Sequence, residues 1–483
     1  MKRFIIALLS IVLICQTATA SAETFDQALM LARQGNAIAQ YNLGVMYENG
    51  RGVPKNYTEA AKWYRLSAGQ GNADAQCKLG LMYTLGRGVS QDDAEALKWI
   101  RLSAQQGNAD AQFILGVMYE NGEGVPKNDA EAVKWYRLSA AQGDAKAQCN
   151  LGAMYYNGRG VSQDYVEAVK WYRLSAAQGG AKAQFNLGLM YAKGEGVPQN
   201  DAEAVKWIRL SAAQGDADAQ CNLGEMYYNG RGVSKDDVEA MKWFRLSAAQ
   251  DNSDAQCYLG VMYATGRGVP QDYTEAVKWY RLSAQQGNAD AQCNLGVMYY
   301  NGRGVSKDDA EAMKWFRLSA AQDNSDAQCY LGVMYATGRG VPQDYTEAVK
   351  WYRLSAAQNN AVAQFNLGGM YANGRGVSKD DAEAVTWYRL SAAQGYANAQ
   401  CNLGAMYYNG RGVSQDYVEA VKWYRLSAAQ DVAIAQNNLG WTYENGLGVP
   451  KDMTLAKEWY DKACKNGYEK GCAASRRLAG AEK

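Results

Sequence analysis

Residues 37–72 read AIAQYNLGVMYENGRGVPKNYTEAAKWYRLSAGQGN, and residues 73–108 read ADAQCKLGLMYTLGRGVSQDDAEALKWIRLSAQQGN. The second stretch repeats the first at a distance of 36 residues, and the pattern continues down the chain. The glycine of a Leu-Gly pair recurs from Gly44 and Gly80 to Gly404 and Gly440, always 36 residues apart. A tryptophan keeps the same interval from Trp63 and Trp99 to Trp459. Twelve units without one insertion form a single quasi-linear array, in place of the several domains that 483 residues would otherwise suggest.

Within each unit the apolar spacing is helical. Ala39, Leu43, Met46 and Tyr47 share one face of a first helix. Gly50 suits a left-handed helix end and Gly52 relaxes the turn that follows. Asn56 with Glu59, and Asp92 with Glu95, have the spacing of a capping box that opens a second helix. Ala60, Trp63, Tyr64 and Ala68 face the core from that helix, while Glu59 and Lys62 pair outside. Gly44 and Ala60 are small where the two helices cross. Trp243, in mid-array, is expected to be a core aromatic. One such hairpin cannot bury its own apolar face, so neighbours must stack. Phe25 to Gln34 reads as a leading helix and Gly471 to Leu478 as a trailing one, with Arg476 and Arg477 turned outward.

Composition excludes several chemistries. Fifty Lys and Arg against 49 Asp and Glu leave no basic excess for nucleic acid. Histidine is absent, which removes Ser/His/Asp and Cys/His catalysis and every histidine-bearing metal site. No Ser-x-x-Lys occurs, and the carboxylates recur in every unit as caps and surface pairs. The expectation is therefore no catalytic residue, no metal and no cofactor. The Gly-Arg-Gly loops never continue to Gly-Lys-Ser/Thr, and read as turns, not as phosphate cradles.

The first residues have the form of an export signal. Lys2 and Arg3 precede an apolar run from Phe4 to Ile14, and small-residue sites follow up to Ala22. Cys15 follows bulky Ile14, which speaks against a lipid anchor there. The run is too short to span a membrane, and no later stretch is long enough. A periplasmic or secreted location is expected, with residues 1–22 removed.

The unit A-x-A-Q-x-N-L-G-x-M-Y-x-N-G-x-G-V-x-x-D-x-x-E-A-x-K-W-Y resembles the Sel1-like repeat, a relative of the tetratricopeptide repeat. The resemblance covers essentially all of residues 23–475. It implies an all-α fold, a right-handed α/α superhelical solenoid of twelve 36-residue helix–turn–helix repeats used as an adaptor. The expected layout is a signal peptide at 1–22, a capping helix at 23–36, the array at 37–468, and a capping helix with a tail at 469–483. The last repeat is similar to the cysteine-rich exported branch of the family, which implies a disulfide between Cys464 and Cys472. The seven other cysteines from Cys77 to Cys401 share one column with Tyr41, Phe113, Phe185 and Phe365, and read as packed free thiols.

On the first helix, the arc opposite Leu43 holds the columns of Asn42, Val45 and Glu48. In a tetratricopeptide-like stack this arc lines the concave groove. Asn150, Asn222, Asn294 and Asn402 fall there, each six residues before Tyr156, Tyr228, Tyr300 and Tyr408. Amide and phenol together suit an extended peptide or a sugar face. The asparagines equally suit bracing between neighbouring helices. Residues 147–178 and 399–430 are identical, and 237–283 differs from 309–355 only in Val238 for Ala310. Copies this similar favour a multivalent surface over one unique site. The leading expectation is an exported scaffold that binds a protein or peptide partner through this groove. Binding of a cell-wall glycan, peptidoglycan, is the alternative. A β-lactam-binding or hydrolysing enzyme, a role linked to cysteine-rich relatives, is a third and lacks its motif here.

Overall fold

A computed structural model of the chain describes residues 24–481. The expected export signal, with Cys15, lies outside the described residues. Among the described residues there are 26 helices and no strand. A leading helix Phe25–Arg33 is followed by pairs such as Ala37–Asn49 with Tyr57–Gly69, up to Ala433–Asn445 with Met453–Lys465. Glu469–Ala481 closes the chain. Two units are distinguished, Met1–Trp243 and Phe244–Lys483, and both are built from the same hairpin.

Polar side chains and glycines set the helix boundaries. The Asn36 side chain accepts the Ala39 N–H at 2.9 Å and opens the first helix. Gly50 ends it with φ 73°, a backbone that favours a residue without Cβ. Asn56 accepts from the N–H groups of Thr58 and Glu59, both at 3.1 Å, and starts the second helix. Only half of the anticipated capping box forms. The Asn56 N–H donates to the Tyr47 carbonyl at 2.9 Å, and Glu59 turns to Lys62 at 2.6 Å. The cap thus fastens the second helix back onto the end of the first.

The helix crossing explains the invariant glycine. A Cβ on Gly44 would lie 2.6 Å from the Tyr64 ring, and one on Gly80 would lie 2.6 Å from Ile100 Cγ1. Leu43, Ala60 and Tyr64 are wholly buried at this crossing. Each such large apolar side chain contributes about 2 kcal/mol. The second loop glycine serves the next contact along the chain. A Cβ on Gly88 would stand 2.0 Å from the Tyr57 carbonyl oxygen of the preceding repeat. The long loop is therefore the surface through which one hairpin touches the start of its neighbour's second helix.

One expectation needs correction. The tryptophans are half-buried, and the residue after each of them, from Tyr64 to Tyr460, fills the core. Trp99 packs from its own repeat against the cluster of Ala60, Tyr64 and Leu79, so its column seals seams between repeats. Trp243 follows the same rule, with its indole N–H donating to Glu239 at 2.9 Å. Helical periodicity could not separate the two adjacent aromatics, because each lies within reach of the same apolar stripe. Met46 and Tyr47 keep the expected face and pack, half-buried, against Ala39 and Leu43. Arg476 and Arg477 are exposed, as expected, and Arg477 also pairs with Glu444 at 2.7 Å.

Candidate functional site

The first helices carry the candidate face. Asn150, Asn222, Asn294 and Asn402 are all half-buried, as are Tyr156, Tyr228, Tyr300 and Tyr408. Their side chains reach in both directions along each unit. The Asn150 amide bears on the hydroxyl of Tyr136 and the Asn402 amide on that of Tyr388, in each case in the preceding repeat. Asn294 bears on Cys257, and Asn222 donates to the Asp218 carbonyl in its own helix at 3.3 Å. Asn150, Asn294 and Asn402 therefore reach the preceding repeat, while the hydrogen bond of Asn222 stays within its own helix.

The tyrosines face the following repeat. The Tyr156 hydroxyl donates to Glu195 at 2.9 Å and accepts from Lys193 at 3.3 Å. Burial, then the Glu195 carboxylate, push its pKa up. The Arg339 guanidinium carbon sits 3.4 Å from the centre of the Tyr300 ring, a cation–π contact. The Tyr408 hydroxyl accepts from the indole N–H of Trp441 at 2.8 Å, and its ring lies 5.2 Å from Tyr417.

Trp441 is the residue that sequence reasoning passed over. It occupies the Val45 column and is 47% exposed, whereas the twelve tryptophans of the regular column are half-buried. A second tryptophan in the final repeat was the available signal. The Glu48 column departs from its assigned place. Glu48 is buried and accepts from the Tyr64 hydroxyl at 2.6 Å, and Glu120 does the same for Tyr136 at 2.6 Å. Where the column carries glutamate, at Glu48, Glu120 and Glu444, it accepts from the buried tyrosine of its own hairpin.

The loop arginines have structural partners. Arg159 bridges Asp129 and Glu120 of the preceding repeat, each at 2.9 Å, and Arg411 reaches Asp381 at 2.6 Å. The Arg159 guanidinium holds the Asp129 carboxyl below its usual range. With Asn or Asp already capping the adjacent helix, these loops serve as clamps between repeats.

The columnar cysteines are free thiols, buried except for the half-buried Cys149. Burial pushes the Cys77 thiol up to about 12 and that of Cys401 up to about 11, which suppresses the nucleophilic thiolate. Cys464 and Cys472 are joined in a disulfide with their Cα atoms 4.5 Å apart, tying the final helix to the one before it. Among the described residues no cluster of acidic and cysteine side chains is arranged to hold a metal, and no helix is long and apolar enough to cross a membrane.

A family model described as the Sel1 repeat matches residues 37–468 as twelve consecutive segments. Among solved structures, the chain is similar to a protective antigen present in uropathogenic Escherichia coli strains and displaying an SLR fold. The identity is 38%, over 95% of this chain and 97% of the other, with a TM-score of 0.79. A Sel1 repeat protein from Oxalobacter formigenes is 34% identical over 50% of this chain and 96% of its own, with a TM-score of 0.47. No curated protein matches the chain. Twelve capped hairpins of one length, packed through the same glycine crossing, place this chain in the Sel1 repeat family, within the tetratricopeptide-like superfamily.

Proposed function

We propose that the chain is an exported interaction scaffold whose first-helix face takes up segments of a partner protein. Sel1 repeat proteins are generally protein-interaction scaffolds, and in this array polar pairs such as Arg159 with Asp129 and Gln106 with Gln76 hold the hairpins together. The observation that carries the reading is Trp441. A large apolar ring left half in solvent loses burial energy unless something covers it, and its N–H is already fixed by Tyr408. It stands on the face where the tyrosine column runs. The disulfide accords with an oxidising compartment. The Escherichia coli relative is described as a protective antigen, which accords with export.

The test is a pull-down from an envelope extract and from host-cell lysate, with the wild-type chain and with Trp441→Ala and Tyr408→Phe. Loss of a specific protein from both variants, at unchanged thermal unfolding, supports the groove. Equal capture by all three chains sinks it. The same aromatic cluster of Trp441, Tyr408 and Tyr417 favours one second reading, a peptidoglycan sugar stacked on the rings. Retention on purified peptidoglycan that disappears in Trp441→Ala would establish that reading instead.

A further inference from the structure

We propose that the second helices carry a separate docking surface, a row of leucines and arginines that fits an acidic protein segment bearing apolar side chains. In the Arg-Leu-Ser-Ala run of each second helix the serine and alanine are buried, while the arginine and leucine face solvent. The leucines recur every 36 residues from Leu66 to Leu426 and are between 39% and 52% exposed. Single exposed leucines are ordinary on any protein surface. Five at one position in the first unit, Leu66 to Leu210, and six in the second, Leu246 to Leu426, give each unit its own patterned apolar row, and the pattern ends in the twelfth repeat at Lys462.

The neighbouring charges decide what kind of partner fits. Lys62, Lys98, Lys134 and their equivalents are paired with the glutamate three residues earlier, so they add no net charge. The arginines differ. Arg65 donates to the Tyr83 hydroxyl at 2.7 Å, Arg173 to Tyr191 at 2.7 Å, and Arg353 to Tyr371 at 2.7 Å. A phenol holds the guanidinium in place without neutralising it. Nη2 is engaged, and the remaining N–H groups of the fork stay available for a carboxylate. Each of the first eleven repeats therefore offers one oriented, uncompensated positive charge beside one exposed leucine. Charge complementarity selects a partner with carboxylates next to apolar residues. This row is distinct from the first-helix face and stands or falls independently of it.

The test uses the full chain and a fluorescently labelled helical peptide in which Glu and Leu alternate on one face. Binding is followed by anisotropy at low and at physiological salt. The chain is expected to bind this peptide, to bind its Lys-for-Glu counterpart at least about tenfold more weakly, and to lose affinity as salt rises. Changing all eleven leucines to Gln, or all eleven arginines to Gln, should each weaken binding about tenfold or more. Because these side chains are exposed, the circular dichroism melt should hold. If the complete variants do not fold, the three-site variant Leu102→Gln, Leu138→Gln, Leu174→Gln should lower the number of peptides bound per chain. Equal binding of the basic peptide, or unchanged binding by the variants, overturns the proposal. Anionic phospholipid vesicles that capture the chain and displace the peptide would reassign the row to a membrane surface, and peptide-independent self-association through it would reassign it to a second copy.

Discussion

The Gln106 side chain donates to the Gln76 side-chain carbonyl at 2.6 Å, and Gln76 in turn donates to the Ala68 carbonyl at 3.1 Å. The pair links the end of one second helix to the start of the first helix before it, and Gln76 is buried. The same relation recurs as Gln142 to Gln112 and Gln286 to Gln256, each at 2.8 Å. Gln76→Met keeps the volume but leaves buried polar groups without partners. Its expected cost is about 2 kcal/mol. An array of repeats unfolds by parts, so the check is hydrogen exchange in Tyr57–Gly69 and Asp93–Gln105. Unchanged protection there would show that water replaces the glutamine.

Two adjacent aromatics separate the core from the seam. Phe316 is wholly buried against Gly296, where a Cβ would come within 2.7 Å of its ring, while Trp315 is half-buried. Phe316→Ala should cost about 3–5 kcal/mol through the cavity it leaves. Trp315→Ala should cost roughly half as much, since much of its ring already meets water. Trp315 is the copy of Trp243 in the duplicated segment, so the lower figure applies there too. Denaturant midpoints for the two variants give the order, and a larger loss for Trp315 would return the tryptophan column to the core.

The hairpin was legible because its signals are local. Leu43, Gly44 and Gly50 announce a crossing and a helix end from spacing alone, and the structure places them so. What was not legible depends on the neighbouring repeat. Gln40 reads as an ordinary polar residue until Gln70, 30 positions on, donates to it at 2.7 Å. Glu48 looks solvent-facing on a helical wheel, yet it lies beneath Tyr64, 16 residues away. Asn150 admitted both bracing and binding, and only its contact with Tyr136 shows the brace. Leu66 carried no signal of its own: Tyr64, Ser67 and Ala68 around it are buried, and only its position on the folded helix turns it outward.

The free thiols should react in a fixed order. Burial pushes Cys257 and Cys329 up to about 12 and Cys149 up to about 11, and Cys149 is the one only half-buried. At pH 8 the thiolate population of Cys329 is then about a thousandfold below that of an ordinary thiol. Iodoacetamide on the folded chain should label Cys149 first and leave Cys257 and Cys329 nearly untouched, as read by peptide mass spectrometry. Early labelling of Cys329 would contradict its packed position.

The C-terminal helix should loosen in acid before the array does. The Arg477 guanidinium, and next the Tyr460 hydroxyl, hold the Glu444 carboxyl below its usual range against an opposing effect of burial. A carboxyl whose folded pKa is depressed adds stability at pH values above its unfolded value of about 4.3. That contribution fades as pH falls through the lower folded value. Arg477 is more than half exposed, so water screens the pair and the loss is modest, about 1 kcal/mol or less. Exchange rates in Glu469–Ala481, corrected for intrinsic chemistry, should rise as pH falls below about 4, while those in Ala433–Asn445 stay low. Glu444→Gln should abolish this added acid response and raise exchange in the same helix at neutral pH. The Cys464–Cys472 bond keeps the helix tethered in either case, so reduction should enlarge the effect. An acid response that survives in Glu444→Gln would mean that another carboxyl, not this one, docks the helix.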